Sequence, residues 1–208
     1  MTGDAESTIV IVPGMREHVE DHWQTILAER LGHAGRTVRV VPPLVRDRLS
    51  RDAQVANVVD VMARITGPVV IVAHSAGVLT TVHWAQCHDA DVRGTDVRGA
   101  LLAVPPDFET PLPDGYPAPD ELATHGWTPV PRKPLPFPSI VAASSDDPLG
   151  SLGRVAELAR DWGSRLVEIG PVGHLNPASG HGPWPQSEAL VEALELGWCH
   201  TTAPRPAS

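Results

Sequence analysis

Short apolar runs alternate along the chain with longer stretches whose apolar positions recur every three or four residues. The short runs predict six strands, at Thr8–Val12, 37–41, 69–73, 99–104, Ser139–Ala143 and 165–169. The longer stretches predict five helices, at 21–31, 50–65, 77–87, 151–162 and 187–196. Continuously apolar strands that alternate with helices are typical of a parallel sheet covered on both faces. The pattern therefore predicts an α/β fold with about six mostly parallel strands.

The length of 208 residues suits one domain, which we expect at residues 1–200, followed by a disordered tail at 201–208. Eleven of the 22 prolines fall between positions 105 and 138, which we call the proline-rich segment. Prolines at this density predict a long irregular excursion in the middle of the chain. Its aromatic residues Tyr116, Trp127 and Phe137 suit either a compact lid beside a pocket or plain wrapping of the surface.

The net charge of −9 argues against nucleic acid as a partner, because few cations are left to neutralise phosphates. The same charge disfavours binding to an anionic membrane surface. Cys87 and Cys199 have no metal-like spacing, and two free thiols are favoured over one disulfide. The first residues resemble neither a signal peptide nor a membrane span, so the cytoplasm is the expected location.

The segment VVIVAHSAG has the features of a turn that exposes a reactive serine. Ser75 stands between a predicted strand and a predicted helix, with the small residues Ala73 and Gly77 two positions to either side. A nucleophile elbow needs small residues there, because they crowd each other in the tight turn. Alanine replaces the first glycine of G-x-S-x-G but is still small. Alternatively, Ser75 only caps the helix; a phosphate-binding loop is disfavoured because its lysine is missing.

A serine hydroxyl becomes a strong nucleophile when a histidine takes its proton and a carboxylate orients that histidine. In α/β-hydrolases the acid and then the histidine follow the serine, each on a loop after a later strand. Here Asp147 follows the fifth predicted strand, and His174 follows the sixth. Asp146 competes for the acid role, and both aspartates could instead only shape their loop. His181, in the same glycine-rich loop as His174, is the main rival for the base.

Two backbone N–H groups are expected to stabilise the oxyanion that forms when a serine attacks a carbonyl. One is that of Ala76, at the start of the helix after Ser75, where the helix dipole adds to its effect. The other is that of Met15, in the loop after the first strand, with Arg16 as a weaker candidate.

Three further side chains, those of His22, Trp127 and His181, are expected to line a substrate pocket. His18 and His22 are four residues apart, as in a helical metal pair, but they lack the glutamate of zincins. We therefore predict no metal and no cofactor.

The strings PGM, DHWQ, VAHSAG, SSDDP and HLNPASGHGPWP together resemble a family of small serine hydrolases. The family is named after a retinoblastoma-binding protein, and many bacterial members are called YdeN-like. The resemblance extends from about residue 9 to residue 196, and it implies an α/β-hydrolase fold without a large cap domain. Carried over by position, the family's nucleophile, acid and base fall on Ser75, Asp147 and His174. The retinoblastoma-pocket motif L-x-C-x-E is absent from the sequence, so that partner is not transferred.

The residues and the resemblance together predict a serine hydrolase that cleaves a small ester or amide through an acyl-enzyme. Its substrate would be a small molecule or a short peptide, in an esterase-like or aminopeptidase-like reaction. The alternative is a non-catalytic binding protein on the same scaffold. The sequence leaves the oligomeric state open.

Overall fold

The computed structural model describes residues 6–15, 19–87 and 95–197. Within these ranges, six strands form one sheet: β1 (Thr8–Val12), β2 (Val38–Val40), β3 (Gly67–His74), β4 (Thr95–Ala103), β5 (Ser139–Ala143) and β6 (Arg165–Glu168). Their order across the sheet is β2-β1-β3-β4-β5-β6, and each neighbouring pair is parallel. The predicted α/β fold with a parallel sheet is confirmed.

The same ranges contain six α-helices: α1 (Trp23–His33), α2 (Arg51–Met62), α3 (Ala76–Cys87), α4 (Pro119–Thr124), α5 (Leu152–Asp161) and α6 (Gln186–Glu195). The Ser50 hydroxyl accepts a hydrogen bond from the backbone N–H of Ala53 at 3.3 Å, so Ser50 is the N-cap of α2, as predicted. No helix in the described ranges is long and apolar enough to cross a bilayer. The tail expected at 201–208 lies outside the described residues, and the extent of the domain stays a prediction.

Helices cover both faces of the sheet. In β1, Ile9 and Ile11 pack into a cluster with α1 and α6, whereas Val10 and Val12 pack into another cluster with α2, α3 and α5. All four side chains are almost completely buried, because successive residues of a strand point to opposite faces. This two-sided burial explains why the strands are apolar without interruption.

The largest differences from the predicted elements lie in β4 and in the proline-rich segment. β4 begins at Thr95 rather than at residue 99, because its ladder to β3 continues through Asp96 to the Gly67–Thr95 pair. The proline-rich segment is mostly irregular, as expected, but it also contains α4. Pro119 stands in the first turn of that helix, where a missing N–H costs nothing, and Leu122 anchors it in the core.

Candidate active site

Ser75 occupies a strained turn at the carboxyl edge of the sheet. It is the one residue between the end of β3 at His74 and the start of α3 at Ala76. Its φ is +56°, in the left-handed region that residues with a side chain rarely adopt. Gly77 approaches the end of β1 too closely for any side chain to fit, and Ala73 is fully buried. The turn therefore has the geometry of a nucleophile elbow.

Three side chains from different loops form one hydrogen-bonded chain at this edge. His174 Nε2 lies 2.7 Å from Ser75 Oγ, and His174 Nδ1 lies 2.9 and 3.0 Å from the two carboxylate oxygens of Asp147. An ionised carboxylate only accepts hydrogen bonds, so Nδ1 carries the proton and Nε2 accepts the bond from the serine hydroxyl. The His174 and Asp147 side chains are only 6% and 2% exposed, which strengthens their electrostatic interaction.

The two competing aspartates have different contacts. Besides contacting His174, Asp147 accepts a hydrogen bond from the backbone N–H of Leu149 at 2.9 Å, which fixes its orientation. Asp146 instead accepts hydrogen bonds from the backbone N–H of Gly173 at 2.7 Å and from the Ser144 hydroxyl at 2.9 Å. These bonds lower the pKa of the Asp146 carboxyl. Asp146 thus ties the loop after β5 to the loop after β6.

The residues predicted for the oxyanion hole lie on either side of Ser75. Met15 and Ala76 both line the cavity that contains Ser75, and a Cβ atom at Gly14 would lie 3.4 Å from Ser75 Oγ. Ala76 is in the first turn of α3, where backbone N–H groups have no partner within the helix. The placement suits the expected roles of Met15 and Ala76, which stay proposals. Arg16 lies outside the described residues.

A buried amide connects the two strands that carry these loops. Gln24, fully buried at the start of α1, donates from Nε2 to the carbonyl oxygens of Val12 at 3.3 Å and of Val72 at 3.0 Å. Val12 ends β1, just before the Met15 loop, and Val72 precedes Ser75 by three residues in β3. Gln24 thereby links β1 to β3 beside the two halves of the candidate oxyanion hole. The sequence gives no periodic signal for such a contact, so this role of Gln24 could not be predicted from residue types.

A cavity of about 540 Å³ opens beside the Ser75 hydroxyl. Its size is in the range of small-molecule sites. Its apolar walls come from the loop after β1, the loop before α2, the proline-rich segment and the loop after β5. They include Met15, Val19, Leu49, Phe108, Tyr116 and Leu149.

The three side chains predicted to line the pocket have different positions. His22 lines the cavity, and as the N-cap of α1 it accepts a hydrogen bond from Gln24 N at 3.3 Å. Trp127 does not line it, because its indole is fully buried and donates to the carbonyl oxygen of Leu49 at 2.6 Å. It supports the cavity wall from one layer behind.

His181 does not line the cavity either. Its backbone N–H donates to the carbonyl oxygen of Asn176, in a turn closed by Gly180 at φ +79°. Among the two rivals for the base, the structure therefore brings His174 to Ser75. His18, of the weak metal pair, lies outside the described residues.

Comparisons with known proteins agree with this architecture. The family model for serine hydrolases matches residues 9–193. A YdeN-like hydrolase from Pectobacterium atrosepticum is 27% identical, with a TM-score of 0.73 over 92% of each chain. The ydeN gene product of B. subtilis is 16% identical, with a TM-score of 0.66 over 90% of this chain and 98% of that one. Est1E from Butyrivibrio proteoclasticus, in a structure with bound ferulic acid, is 13% identical, with a TM-score of 0.64 over 94% and 89%.

A comparison with curated protein sequences found no match. The structural likenesses confirm the predicted α/β-hydrolase fold, and the described residues include no large cap domain. The three structures do not carry the retinoblastoma-binding name, so that part of the resemblance stays a prediction. Because the family model covers most of the sequence, the chain belongs to the serine hydrolase family.

Proposed function

We propose that the protein hydrolyses a small ester or amide through an acyl-enzyme formed on Ser75. The observation that carries the proposal is the 2.7 Å contact between Ser75 Oγ and His174 Nε2 at the wall of the cavity. This contact joins a nucleophile to a base that is itself oriented by a buried carboxylate. The family assignment supports hydrolysis in general, and the choice of residues rests on the geometry.

In the acylation half, Ser75 Oγ attacks the substrate carbonyl carbon while His174 Nε2 takes the hydroxyl proton. The N–H groups of Met15 and Ala76 stabilise the negative charge on the former carbonyl oxygen. When the tetrahedral intermediate collapses, the bond to the leaving group breaks and the imidazolium donates its proton to that group. Asp147 stabilises the imidazolium and holds its tautomer.

In the deacylation half, a water molecule takes the place of the departed alcohol or amine. His174 removes a proton from this water as its oxygen attacks the acyl carbon, and then returns a proton to Ser75 Oγ as the ester bond breaks. The carboxylic acid leaves, and the enzyme returns to its starting state. No metal or cofactor takes part, so a chelator is expected to leave the activity unchanged.

The apolar walls favour an acyl group that is itself largely apolar. Phe108, Tyr116 and Leu149 offer aromatic and aliphatic surface in the wall of the cavity that also contains Ser75 and His174. Burying a matching apolar group gains about 25 cal/mol per Å² removed from water. The substrate panel should therefore contain p-nitrophenyl esters of increasing acyl length, a feruloyl ester and aminoacyl-coumarin amides.

A fluorophosphonate probe tests the nucleophile directly, because it reacts with activated serines. We expect the probe to label the wild-type protein and not the Ser75→Ala variant. Ser145→Ala is the matched control, since Ser145 is an exposed serine near the acid loop, and this variant should be labelled like wild type. Labelling of Ser75→Ala, or resistance of the wild type to the probe, would contradict the proposal. A protein that resists the probe and cleaves none of the panel, yet binds panel members, would instead be a non-catalytic binding protein.

A further inference from the structure

All four polar groups of His174 take part in hydrogen bonds. The two ring nitrogens contact Ser75 and Asp147, and the backbone N–H donates to the Ser179 hydroxyl at 3.0 Å. The remaining group, the His174 carbonyl oxygen, lies 3.0 Å from His74 Nε2. A carbonyl only accepts, so His74 Nε2 carries a proton and donates it. Consecutive residues therefore hold the histidine from two sides: Ser75 at its ring, and His74 at its backbone.

His74 is itself closely confined. It is the last residue of β3 and is 4% exposed. Its ring lies edge-on to the ring of His22, with centroids 4.6 Å apart, and edge-on to the indole of Trp23 at 6.0 Å. The His174 ring lies 5.1 Å away. Because the His74 ring is packed between these rings and belongs to the central strand β3, it can hold the His174 carbonyl oxygen at a fixed place relative to Ser75.

The backbone around His174 needs such a restraint. Gly173 has a φ of +54° and Leu175 a φ of +48°, so both neighbours of His174 are in the left-handed region. For a buried leucine this conformation is strained, and strained conformations persist only where surrounding contacts enforce them. The bond from His74 is made to the carbonyl of the peptide that joins His174 to Leu175. Without this bond, the strained 174–175 peptide would lose its anchor to β3, and the position of His174 relative to Ser75 would be less restrained.

We propose that His74 is a positioning residue, which holds the imidazole of His174 on Ser75 by anchoring the strained 174–175 peptide. The inference rests on the proposed function, because it assigns His74 a role in that reaction. His74 acts through His174 and does not itself exchange a proton with the substrate.

A matched pair of substitutions isolates the donor. In His74→Gln, the amide Nε2 is the same number of bonds from the backbone as the imidazole Nε2, so the bond to the His174 carbonyl can form. His74→Met has a similar length and no donor. We expect His74→Met to lower kcat for a p-nitrophenyl ester about 10- to 100-fold, because small misplacements of a catalytic group have effects of this size. Its KM should stay within about twofold of the wild-type value. Gln should stay within about fivefold of wild type.

A spectroscopic readout needs no substrate. The proton shared by His174 Nδ1 and Asp147 should give a downfield proton resonance in wild type and in His74→Gln, and a broadened or missing one in His74→Met. Thermal unfolding shows whether each variant folds. If His74→Met does not fold, His74→Asn takes its place, because the asparagine amide nitrogen is one bond too close to the backbone to reach the His174 carbonyl. We expect His74→Asn to show the same loss of kcat and of the resonance.

The inference would be overturned if His74→Met had the kcat and the resonance of wild type. It would also be overturned if His74→Gln were as impaired as His74→Met. A wild-type protein that the fluorophosphonate probe does not label would overturn the proposed function itself. Labelled wild type with an unimpaired Met variant would overturn the role of His74 alone.

Discussion

Gly77 packs directly against the backbone of Pro13, where α3 begins beside the end of β1. A Cβ atom at Gly77 would lie 2.6 Å from the carbonyl oxygen of Pro13 and closer still to that of Val12. Both oxygens belong to backbone, which cannot rotate away as a side chain would. Glycine is therefore needed at position 77 for two reasons: the tight turn at Ser75, and the close approach of the loop that carries Met15.

We expect Gly77→Ala to destabilise the protein by about 1–3 kcal/mol, the usual cost of overpacking, and to lower kcat by displacing the Met15 loop. The control is Gly153→Ala in α5, where an added Cβ would meet nothing within 4 Å. That change should stabilise the helix by up to about 1 kcal/mol. Urea unfolding measures both changes, and equal stabilities of the two variants would show that the contact at Gly77 relaxes without cost.

Asp147 and Asp146 should differ sharply when each is replaced by asparagine. Asp147→Asn removes the carboxylate that fixes the proton on His174 Nδ1, and the equivalent change in the triad of a serine protease lowers kcat by about 10⁴-fold. Asp146→Asn keeps an oxygen that can accept from Gly173 N and Ser144 Oγ, so kcat should fall by less than about tenfold. Steady-state kinetics with one ester substrate measures kcat for both variants and shows which aspartate the reaction needs. If the two variants were equally impaired, the acid role could not be assigned to Asp147 alone.

Gln24 offers a test of the link between β1 and β3. Gln24→Met removes the two hydrogen bonds to Val12 and Val72, but also removes Oε1, a buried acceptor without a partner among the described residues. The two effects oppose each other, so the free energy of unfolding should change by less than about 1.5 kcal/mol, while kcat falls about tenfold.

Gln24→Glu places a second acceptor against the same carbonyls and should cost about 2–4 kcal/mol near neutral pH. Urea unfolding and ester kinetics on both variants check these values. Unchanged kcat in Gln24→Met would show that the Met15 loop keeps its place without the amide.

His83 should make stability depend on pH in the weakly acidic range. Burial lowers the pKa of His83 below its usual value of 6.5 in the folded protein, and its Nε2 lies 3.2 Å from the carbonyl oxygen of Trp127. Below pH 6.5 the unfolded chain binds a proton that the folded protein does not, so the free energy of unfolding falls as pH decreases. The loss ends once pH is below the folded pKa.

His83→Gln keeps a donor for Trp127 and removes the titration. We expect urea unfolding at pH 7.5 and at pH 5 to show a smaller loss of stability for this variant than for wild type. Identical losses would mean that His83 titrates in the folded protein as it does in the unfolded chain.

The sequence predicts those parts of the site that follow from topology. Ser75 comes directly after β3, Asp147 and His174 lie in the loops that follow β5 and β6, and parallel strands bring their carboxyl ends to one edge of the sheet. The structure places the three side chains in contact, while their catalytic roles stay proposed. Topology alone leaves Asp146 and Asp147 as alternatives, because one residue of difference decides which carboxylate reaches the imidazole. The sequence favours Asp147 only through Pro148, which biases the preceding residue to an extended backbone.

The parts that the sequence did not predict depend on distant contacts with backbone. Trp127 is directed inward by its hydrogen bond to Leu49, 78 residues away, and its aromatic character alone could not distinguish a pocket wall from a core. Gln24 and His74 likewise bind carbonyl oxygens that any residue could supply. Such acceptors leave no trace in the pattern of residue types, so these contacts become visible only in three dimensions.

The proline-rich segment forms part of the cavity wall through Phe108, Tyr116 and Pro117, yet it contributes no strand to the sheet. Ser75, Asp147 and His174 stand instead on loops that follow strands of the sheet. Under the proposed function, the bond-breaking groups and one part of the substrate pocket therefore belong to different stretches of the chain. Mutations in the irregular stretch would then change which molecules are accepted while the reaction itself proceeds as before, a division that favours diversification during evolution.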